Sequence, residues 1–301
     1  MKKNWFILIV LTVILAGCTP KAPTGTTYID GEGRSVVISG PAQRIVSLAP
    51  SNTEILYALG AGDKIVGRDE FSDYPLEAKS LPSVGGSMGE YDFEAIAALE
   101  PDLVLATSIN TPKQIKTLEE MGITVYMLPN PDDLEGLYSN LMIVGELTGQ
   151  TTNADNLVAS LKIRVQAVLD NVKEAGSTPS VFYELDGTDP AKPWTAGPDT
   201  FMSKWISLAG GYNVGDKLDA SWAQISQEAL IVADPEIILL GDAAYGMTPE
   251  QVAARPGWDA ISAVKNWKIL VFDDNLISRP GPRLVDALEV LAQLLHPDLF
   301  K

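Results

Sequence analysis

A glycine-rich stretch at residues 85–89 has the spacing of a serine nucleophile. Gly85-Gly86-Ser87-Met88-Gly89 satisfies the Gly-x-Ser-x-Gly pattern, in which a serine attacks an acyl carbon with the help of a histidine base. That motif requires a strand that runs into the serine and a helix directly after it. Here Pro82 interrupts the approach, and the next helical pattern begins only near Asp92. The base would have to be His296, which stands before a proline near the C-terminus. A serine hydrolase is therefore the less favoured class of function.

Metal ligands are scarce in this sequence. His296 is the single histidine and Cys18 the single cysteine among 301 residues. A bare zinc or manganese site uses several histidines with a carboxylate, and haem iron is commonly held by a histidine. We therefore expect no cofactor and no metal held directly by the protein. A bound metal would arrive already wrapped in an organic ligand.

Aromatic side chains lie near the expected loops and strand ends, where the facing edges of two α/β layers would meet. Flat rings provide contact area with few rotatable bonds to freeze, so they suit a large and partly apolar ring system. Packing in the core is the alternative for each of them. The candidate ligand contacts of this kind are Phe71, Tyr74, Tyr91, Tyr183, Trp194, Trp222 and Tyr245.

Two arginines flank a Pro-Gly-Pro turn near the end of the chain. Arg279 and Arg283 can receive an acidic group, such as a siderophore carboxylate or a phosphate. The alternative is a surface pair at the start of a helix. Both interpretations stay open at the level of sequence.

One long helical pattern occupies residues 152–175, near the middle of the chain. Its apolar residues recur at steps of three or four and so form one stripe, made of Leu157, Leu161, Val165, Val168 and Val172. Gly176 and Pro179 mark its end. At 1.5 Å per residue this helix is roughly 35 Å long, enough to span from one lobe to another. A helix resists bending, so we expect only a small closure on binding.

Similar halves flank this helix. In each half short strands alternate with helices, which is typical of parallel α/β layers. The segment 94–105 also aligns with 228–239 without a gap, with Pro101 opposite Pro235. We predict an α/β fold of two Rossmann-like lobes, at 44–151 and 177–301, joined by a linking helix at 152–176, with a ligand cleft between the lobes.

The N-terminus reads as an export signal. Residues 1–17 contain Lys2 and Lys3 and then an apolar run that is too short for a stable membrane anchor. The small residues before Cys18 resemble the lipobox of a bacterial lipoprotein, which implies cleavage there and lipid on the sulfur. Residues 18–43 would form the lipid anchor, a tether that lasts to residue 27, and an incoming strand. Acidic side chains outnumber basic ones by 39 to 22, which argues against nucleic acid as a partner.

Several motifs resemble a known family, the substrate-binding proteins of bacterial ABC importers whose two lobes are joined by a single rigid helix. The resemblance covers residues 40–296, and among members the cobalamin binders are most similar, followed by ferric-siderophore binders. It rests on Arg44-Ile-Val-Ser-Leu-Ala-Pro-Ser-Asn-Thr-Glu-Ile-Leu, Phe71-Ser-Asp-Tyr-Pro75, the segment from Phe93-Glu94 to Pro101-Asp102, and Ser278-Arg-Pro-Gly-Pro-Arg283.

The resemblance implies a lipid-anchored, extracytoplasmic and monomeric binding protein without enzyme activity. It would deliver a metal chelate to an ABC permease dimer with its ATPase subunits. Phe71 and Trp222 match aromatic positions of cobalamin binders, whereas Met88 and Thr107 stand where those proteins have tryptophans. Met88 is a further candidate ligand contact because of this position. We expect a corrinoid such as cobalamin, with a ferric siderophore as the alternative.

Polar side chains have two further expected roles, which are binding the periphery of the chelate and docking to the permease. For a corrinoid, backbone groups and either Ser108 or Asn110 would bind the amides of the ligand. A siderophore would depend more on the arginine pair. In this family the glutamates that match Glu94 and Glu228 dock into arginine pockets of the permease, while the alternative is two solvated carboxylates at helix starts.

Overall fold

A parallel sheet of four strands lies at the centre of each half of the chain. The computed structural model describes residues 25–86 and 89–300. The signal segment, Cys18, Ser87 and Met88 lie outside these described residues. Within the described part of the chain, no helix is long and apolar enough to cross a membrane.

The N-terminal lobe has the strand order β4-β3-β5-β6, with every pair parallel. Its strands are β3 (Ile45–Ser47), β4 (Ile65–Arg68), β5 (Leu103–Ala106) and β6 (Val125–Met127). Its helices are α1 (Pro50–Ala58), α2 (Phe93–Ala98), α3 (Pro112–Glu120) and α4 (Leu134–Thr148). All four residues of β5 are buried, as expected for a central parallel strand that is covered on both faces.

The C-terminal lobe repeats this order as β9-β7-β11-β12, again with parallel pairs. Its sheet consists of β7 (Ser180–Glu184), β9 (Tyr212–Asn213), β11 (Ile237–Leu240) and β12 (Ile269–Val271), and an antiparallel pair beside it of β8 (Trp194–Ala196) and β10 (Trp222–Gln224). Its helices are α6 (Phe201–Leu208), α7 (Gln227–Ala233), α8 (Pro249–Ala253), α9 (Ser262–Lys265), α10 (Asn275–Ser278) and α11 (Leu284–Leu295). The predicted fold of two α/β lobes is therefore confirmed.

The two aligned segments occupy equivalent places in the lobes. Helix α2 leads into β5 and helix α7 leads into β11, each through a residue with positive φ directly before the proline, Glu100 at 47° and Asp234 at 43°. Both helices also begin with a side-chain cap: Asp92 accepts a hydrogen bond from the Ala95 amide, and Ser226 accepts one from the Ala229 amide. The match extends from the sequence to the backbone conformation.

Helix α5 (Thr151–Lys173) is the predicted linking helix, and it packs against α4 of the first lobe and α11 of the second. Leu161, Val165 and Val168 of the predicted stripe are buried, while Leu157 and Val172 are partly buried. One continuous apolar core surrounds this stripe and contains buried residues of both lobes, such as Leu141 and Leu288. The lobes therefore share hydrophobic packing as well as a covalent connection.

One local expectation differs from the structure. The expected tether extends to residue 27, but Thr26 and Thr27 belong to β1 (Thr26–Ile29), which pairs with β2 (Ser35–Ile38) as a hairpin. The Gly31 amide donates to the Met127 carbonyl at 2.7 Å, so this hairpin is fastened to the first lobe. Farther along the chain, a 3₁₀ turn at Trp258–Ala260 is followed by the short helix α9, with Ile261 in an extended conformation between them.

Replacing Leu161 with alanine tests the shared core. Because Leu161 is 2% exposed in α5, Leu161→Ala should lower the free energy of unfolding by about 2–5 kcal/mol. Calorimetry should show one cooperative transition at a lower temperature, since the lobes lose the same packing. Ile163→Ala, on the solvent side of the same helix, serves as the control. Two separate transitions in the variant would contradict the shared core.

Candidate ligand-binding cleft

A cleft of about 650 Å³ lies between the lobes, and its N-terminal wall is made by the carboxyl ends of the first sheet. Phe71 follows β4, Ser108 follows β5 and Pro129 follows β6, and all three line the cleft. Parallel α/β sheets place their ligand sites at this edge. The expected position of the site at the facing strand ends thus agrees with the geometry.

Linked hydrogen bonds between buried polar side chains hold the loop that carries Phe71. Ser72 donates to Asp69 and lies 2.8 Å from the Thr53 hydroxyl, which in turn bonds Ser47 at 2.8 Å. The Asp69 carboxylate also accepts the Phe71 amide at 2.9 Å. Burial raises the pKa of Asp69, and the bonds from Ser72 and Phe71 oppose that rise. These contacts place the Phe71 backbone at the rim of the cleft.

The start of helix α1 is fixed to the neighbouring strand. Asn52 donates its side-chain amide to the Leu105 carbonyl at 3.0 Å and also lines the cleft. Tyr91 lines the same wall and donates its hydroxyl to the Leu48 carbonyl at 2.9 Å. Its phenol is therefore engaged by the backbone, and burial raises its pKa. The hydroxyl proton of Tyr91 is therefore already used within the protein.

The opposite wall comes from the second lobe. Tyr245 lies after β11, and Asn275, Ser278 and Arg279 lie after β12. Tyr245 is 91% exposed, and Phe71 on the facing wall is 55% exposed. The structure therefore brings together two large solvent-exposed rings from different lobes around one cleft.

A buried ion cluster connects the lobes beside this cleft. Glu54 of α1 is 3% exposed, and its carboxylate accepts two bonds from Arg283, at 2.8 and 2.5 Å. Arg279 donates to Asp73 at 2.6 Å and approaches Glu54 at 3.5 Å. The Arg283 guanidinium also lies over the Tyr74 ring, 4.0 Å from its centroid. We call Glu54, Asp73, Tyr74, Arg279 and Arg283 the interlobe cluster.

This cluster changes the interpretation of three predicted ligand contacts. Tyr74 and Arg283 line a different cavity, beside α5, and both are occupied within the cluster. Arg279 does line the cleft, but its guanidinium already bonds carboxylates. The structure thus brings one of the two arginines to the cleft, and that one is paired.

The remaining aromatics are distributed over the second lobe. Tyr183 and Trp222 line a pocket of about 210 Å³ that shares Ser278 and Pro280 with the cleft. Tyr183 is 1% exposed and donates its hydroxyl to Asp274, so it is mainly a core residue. Trp194 lies on the β8–β10 pair and lines none of the cavities described for this chain.

The two predicted polar ligand contacts also differ in where they lie. Ser108 lines the cleft, whereas Asn110 is buried and its Oδ1 accepts the Thr107 amide at 2.9 Å. The Asn110 Nδ2 atom has no hydrogen-bond partner among the described residues. Sequence reasoning missed Asp69, Asn52 and Asn275 as cleft residues. Asp69 follows β4, Asn52 lies in the first turn of α1 after β3, and Asn275 follows β12. These positions after strand ends are the signal that could have found them.

The hydrolase hypothesis needs Ser87, which lies outside the described residues, and His296 as its base. His296 follows the last residue of α11, is buried, and its Nε2 lies 3.3 Å from the Gly210 carbonyl. It does not line the cleft. Gly85 and Tyr91 form an antiparallel bridge, and helix α2 starts only at Phe93, so the strand, nucleophile and helix order is absent from the described part of this stretch.

Glu94 and Glu228 lie at corresponding positions, each in the first turn of its helix, and both are exposed. Neither lines the cleft. They are therefore available to a partner on the outside of each lobe.

Within the described residues, no group of three or more His, Cys, Asp or Glu side chains is arranged to hold a metal ion.

Removing the central charge of the interlobe cluster should destabilise the fold. Glu54→Gln leaves the buried Arg283 guanidinium without a counter-charge, so we expect a loss of about 3–5 kcal/mol in the free energy of unfolding. Urea denaturation measures this loss. Asp286→Asn is the control, since Asp286 pairs with Arg164 near the surface and should cost less than about 1 kcal/mol. Equal losses in the two variants would contradict the role given to Glu54.

Comparison with known proteins agrees with this architecture. The chain is 35% identical to the uncharacterized ABC transporter substrate-binding lipoprotein YvrC of Bacillus subtilis, over the whole of both chains. It is 28% identical to a cobalamin-binding protein of Halobacterium salinarum, over 90% of this chain and 74% of the relative. The periplasmic heme-binding protein RhuT from Roseiflexus superposes with a TM-score of 0.76 at 27% identity, over 86% of this chain and 99% of that one. The sequence pattern of the periplasmic binding proteins matches residues 45–276, and the chain belongs to that family.

Proposed function

We propose that this chain is the extracytoplasmic substrate-binding component of an ABC importer, and that it captures a corrinoid such as cobalamin. The names of its relatives, an ABC transporter substrate-binding lipoprotein and a cobalamin-binding protein, support this assignment. Lipid on Cys18 would tether the chain to the membrane beside its permease. The chain would act as a monomer and would carry out no catalysis of its own.

The observation that carries the proposal is the pair of exposed rings on opposite walls. Phe71 and Tyr245 belong to different lobes and line the same cleft. Leaving two large apolar faces in water is unfavourable, and a ring-shaped ligand between them would bury both. The stacking contact with a ring face also changes little when a macrocycle rotates in its own plane. They suit a broad flat chelate better than a small polar solute.

Neutral polar groups surround these rings. The cleft is lined by the side chains of Ser108, Asn130 and Asn275, which exchange hydrogen bonds with amides and hydroxyls. Such a lining matches the amide-bearing periphery of a corrinoid. A metal held by its own macrocycle needs no protein ligand, and His296 lies outside the cleft.

A ferric siderophore is the second candidate, because one cation does line the cleft. Arg279 could attract an anionic chelate from that position. It would first have to leave Asp73, with which it forms a 2.6 Å bond. The internal pairing of both arginines favours the corrinoid.

Removal of one ring should weaken ligand binding. Phe71→Ala and Tyr245→Ala should each weaken the binding of cyanocobalamin by ~10-fold or more, because burial of an aromatic ring contributes about 1.5–3 kcal/mol. Fluorescence or calorimetric titration measures the change. Ile163→Ala, an exposed apolar residue on α5, is the control and should bind as the wild type does.

The same titration separates the two ligands. Wild type, Phe71→Ala and Arg279→Ala are titrated with cyanocobalamin and with a ferric hydroxamate chelate, after a thermal melt has shown that each variant is folded. A wild type that ignores cyanocobalamin, binds the ferric chelate and loses it in Arg279→Ala would establish the siderophore in place of the corrinoid.

Docking to the permease is tested by charge reversal. Glu94→Arg combined with Glu228→Arg should abolish uptake of labelled ligand by cells, since both contacts with basic pockets become repulsive, while ligand affinity stays unchanged. Glu135→Arg with Glu250→Arg is the matched control, because these glutamates are also exposed in the first turn of a helix, one on each lobe. Normal uptake by the first double variant would refute the docking role.

A further inference from the structure

A second pocket opens beside the cleft on the C-terminal lobe. It has a volume of about 380 Å³ and shares Tyr245 with the cleft. Tyr245 therefore borders both cavities. The residues that line this acidic side pocket are Leu185, Asp186, Thr188, Asp242, Tyr245 and Met247.

Asp242 in this pocket has one unsatisfied oxygen. The residue is 6% exposed, and its Oδ2 atom accepts the Gly187 amide at 2.9 Å. Its Oδ1 atom is buried and has no hydrogen-bond partner among the described residues. An unpaired buried carboxylate oxygen is costly, and a hydrogen-bond donor that reaches it would recover that cost.

The protein's own nearby cation cannot supply this donor. Arg255 is held by Glu184 through two bonds, at 2.5 and 2.9 Å, and by the Gly187 carbonyl at 3.3 Å. The arginine also stacks over Trp258, 4.5 Å from the ring centroid. A side chain at position 187 would collide with Arg255 and Glu184, so a glycine is required there. The Arg255 guanidinium is thus fixed on Glu184.

The outer part of the pocket carries a second negative charge. Asp186 is exposed and accepts the Thr188 amide at 2.8 Å. Bonds from Thr188 lower the pKa of Asp186, so this carboxylate stays ionised at neutral pH. Burial raises the pKa of Asp242, and the hydrogen bond from the Gly187 amide opposes that rise, as does the positive charge of Arg255 to a smaller extent. The pocket therefore favours a group that brings positive charge or N–H donors and disfavours an anion.

We propose that the acidic side pocket is a subsite for a nitrogen-bound hydrogen-bond donor of the ligand, a primary amide or an ammonium group, which bonds to Asp242 Oδ1. This inference rests on the proposed function, because the bulk of the ligand would occupy the adjoining cleft. It adds a requirement that ring stacking does not impose: the ligand carries such a donor on its periphery. A chelate with only carboxylates on that side would be excluded.

Small fragments test the subsite without the whole ligand. Isotope-labelled protein is titrated with methylammonium, acetamide and acetate at constant ionic strength, and the amide resonance of Gly187 is followed because this N–H bonds Asp242. We expect a saturable shift with methylammonium or acetamide and none with acetate. Absence of a saturable shift with both donors would overturn the proposal.

The variant Asp242→Asn replaces a hydrogen-bond acceptor with a donor and keeps the shape of the side chain. Its amide oxygen can still accept the Gly187 N–H, but its NH₂ group replaces the free oxygen, so an acceptor becomes a donor. Donor fragments should then bind roughly 10-fold more weakly or not at all, as for loss of a hydrogen bond to a charged group. Asp155→Asn, on the surface of α5, should behave as the wild type. An unchanged donor response in Asp242→Asn would overturn the proposal.

Cyanocobalamin distinguishes failure of the subsite from failure of the proposed function. If wild type binds it and Asp242→Asn binds it roughly 10-fold more weakly, both proposals stand. If wild type and Asp242→Asn bind it equally well, the subsite fails and the function stands. If wild type does not bind it but the fragments give their shift, the function fails and the donor subsite stands.

Discussion

The buried carboxylate of Glu54 is the contact on which the geometry of the cleft depends. It belongs to the first helix of one lobe, yet it is bonded by Arg283 and approached by Arg279, which come from the last part of the other lobe. Ionised groups are tolerated in an interior only when they are paired. The pairing therefore holds α1 and the turn before α11 together, and with them the two walls that carry Phe71 and Tyr245.

Much of the architecture could be predicted from the sequence because local patterns are sufficient for it. The apolar stripe of α5 and the paired segments around Pro101 and Pro235 gave the linking helix and the two lobes. In such lobes the carboxyl ends of parallel strands face the ligand site. Phe71, Ser108 and Tyr245, which this rule indicated as ligand contacts, line one cleft in the structure.

The rest could not be predicted because it depends on contacts between distant parts of the chain. Arg283 and Glu54 are 229 residues apart in the sequence, so no local pattern indicates that the arginine is paired with this glutamate. Tyr74 was predicted as a ligand contact, but in the structure the Arg283 guanidinium lies over its ring. Asp69 and Asp242 were indistinguishable from the other acidic residues, since only the fold buries them. The β8–β10 pair has three residues per strand, too few to show an alternating pattern.

The apolar core around α5 limits how far the ligand-free and the ligand-bound molecule can differ in shape. Swinging the lobes apart would expose buried side chains such as Leu161 and Val165, at roughly 1.5–3 kcal/mol each. Exposing even two of them would keep a wide-open form at under about 1% of molecules at equilibrium. The outline of the protein is then nearly the same in both states. Any receptor that responds only to the loaded form has to sense the ligand itself, or the few side chains at the rim that touch it.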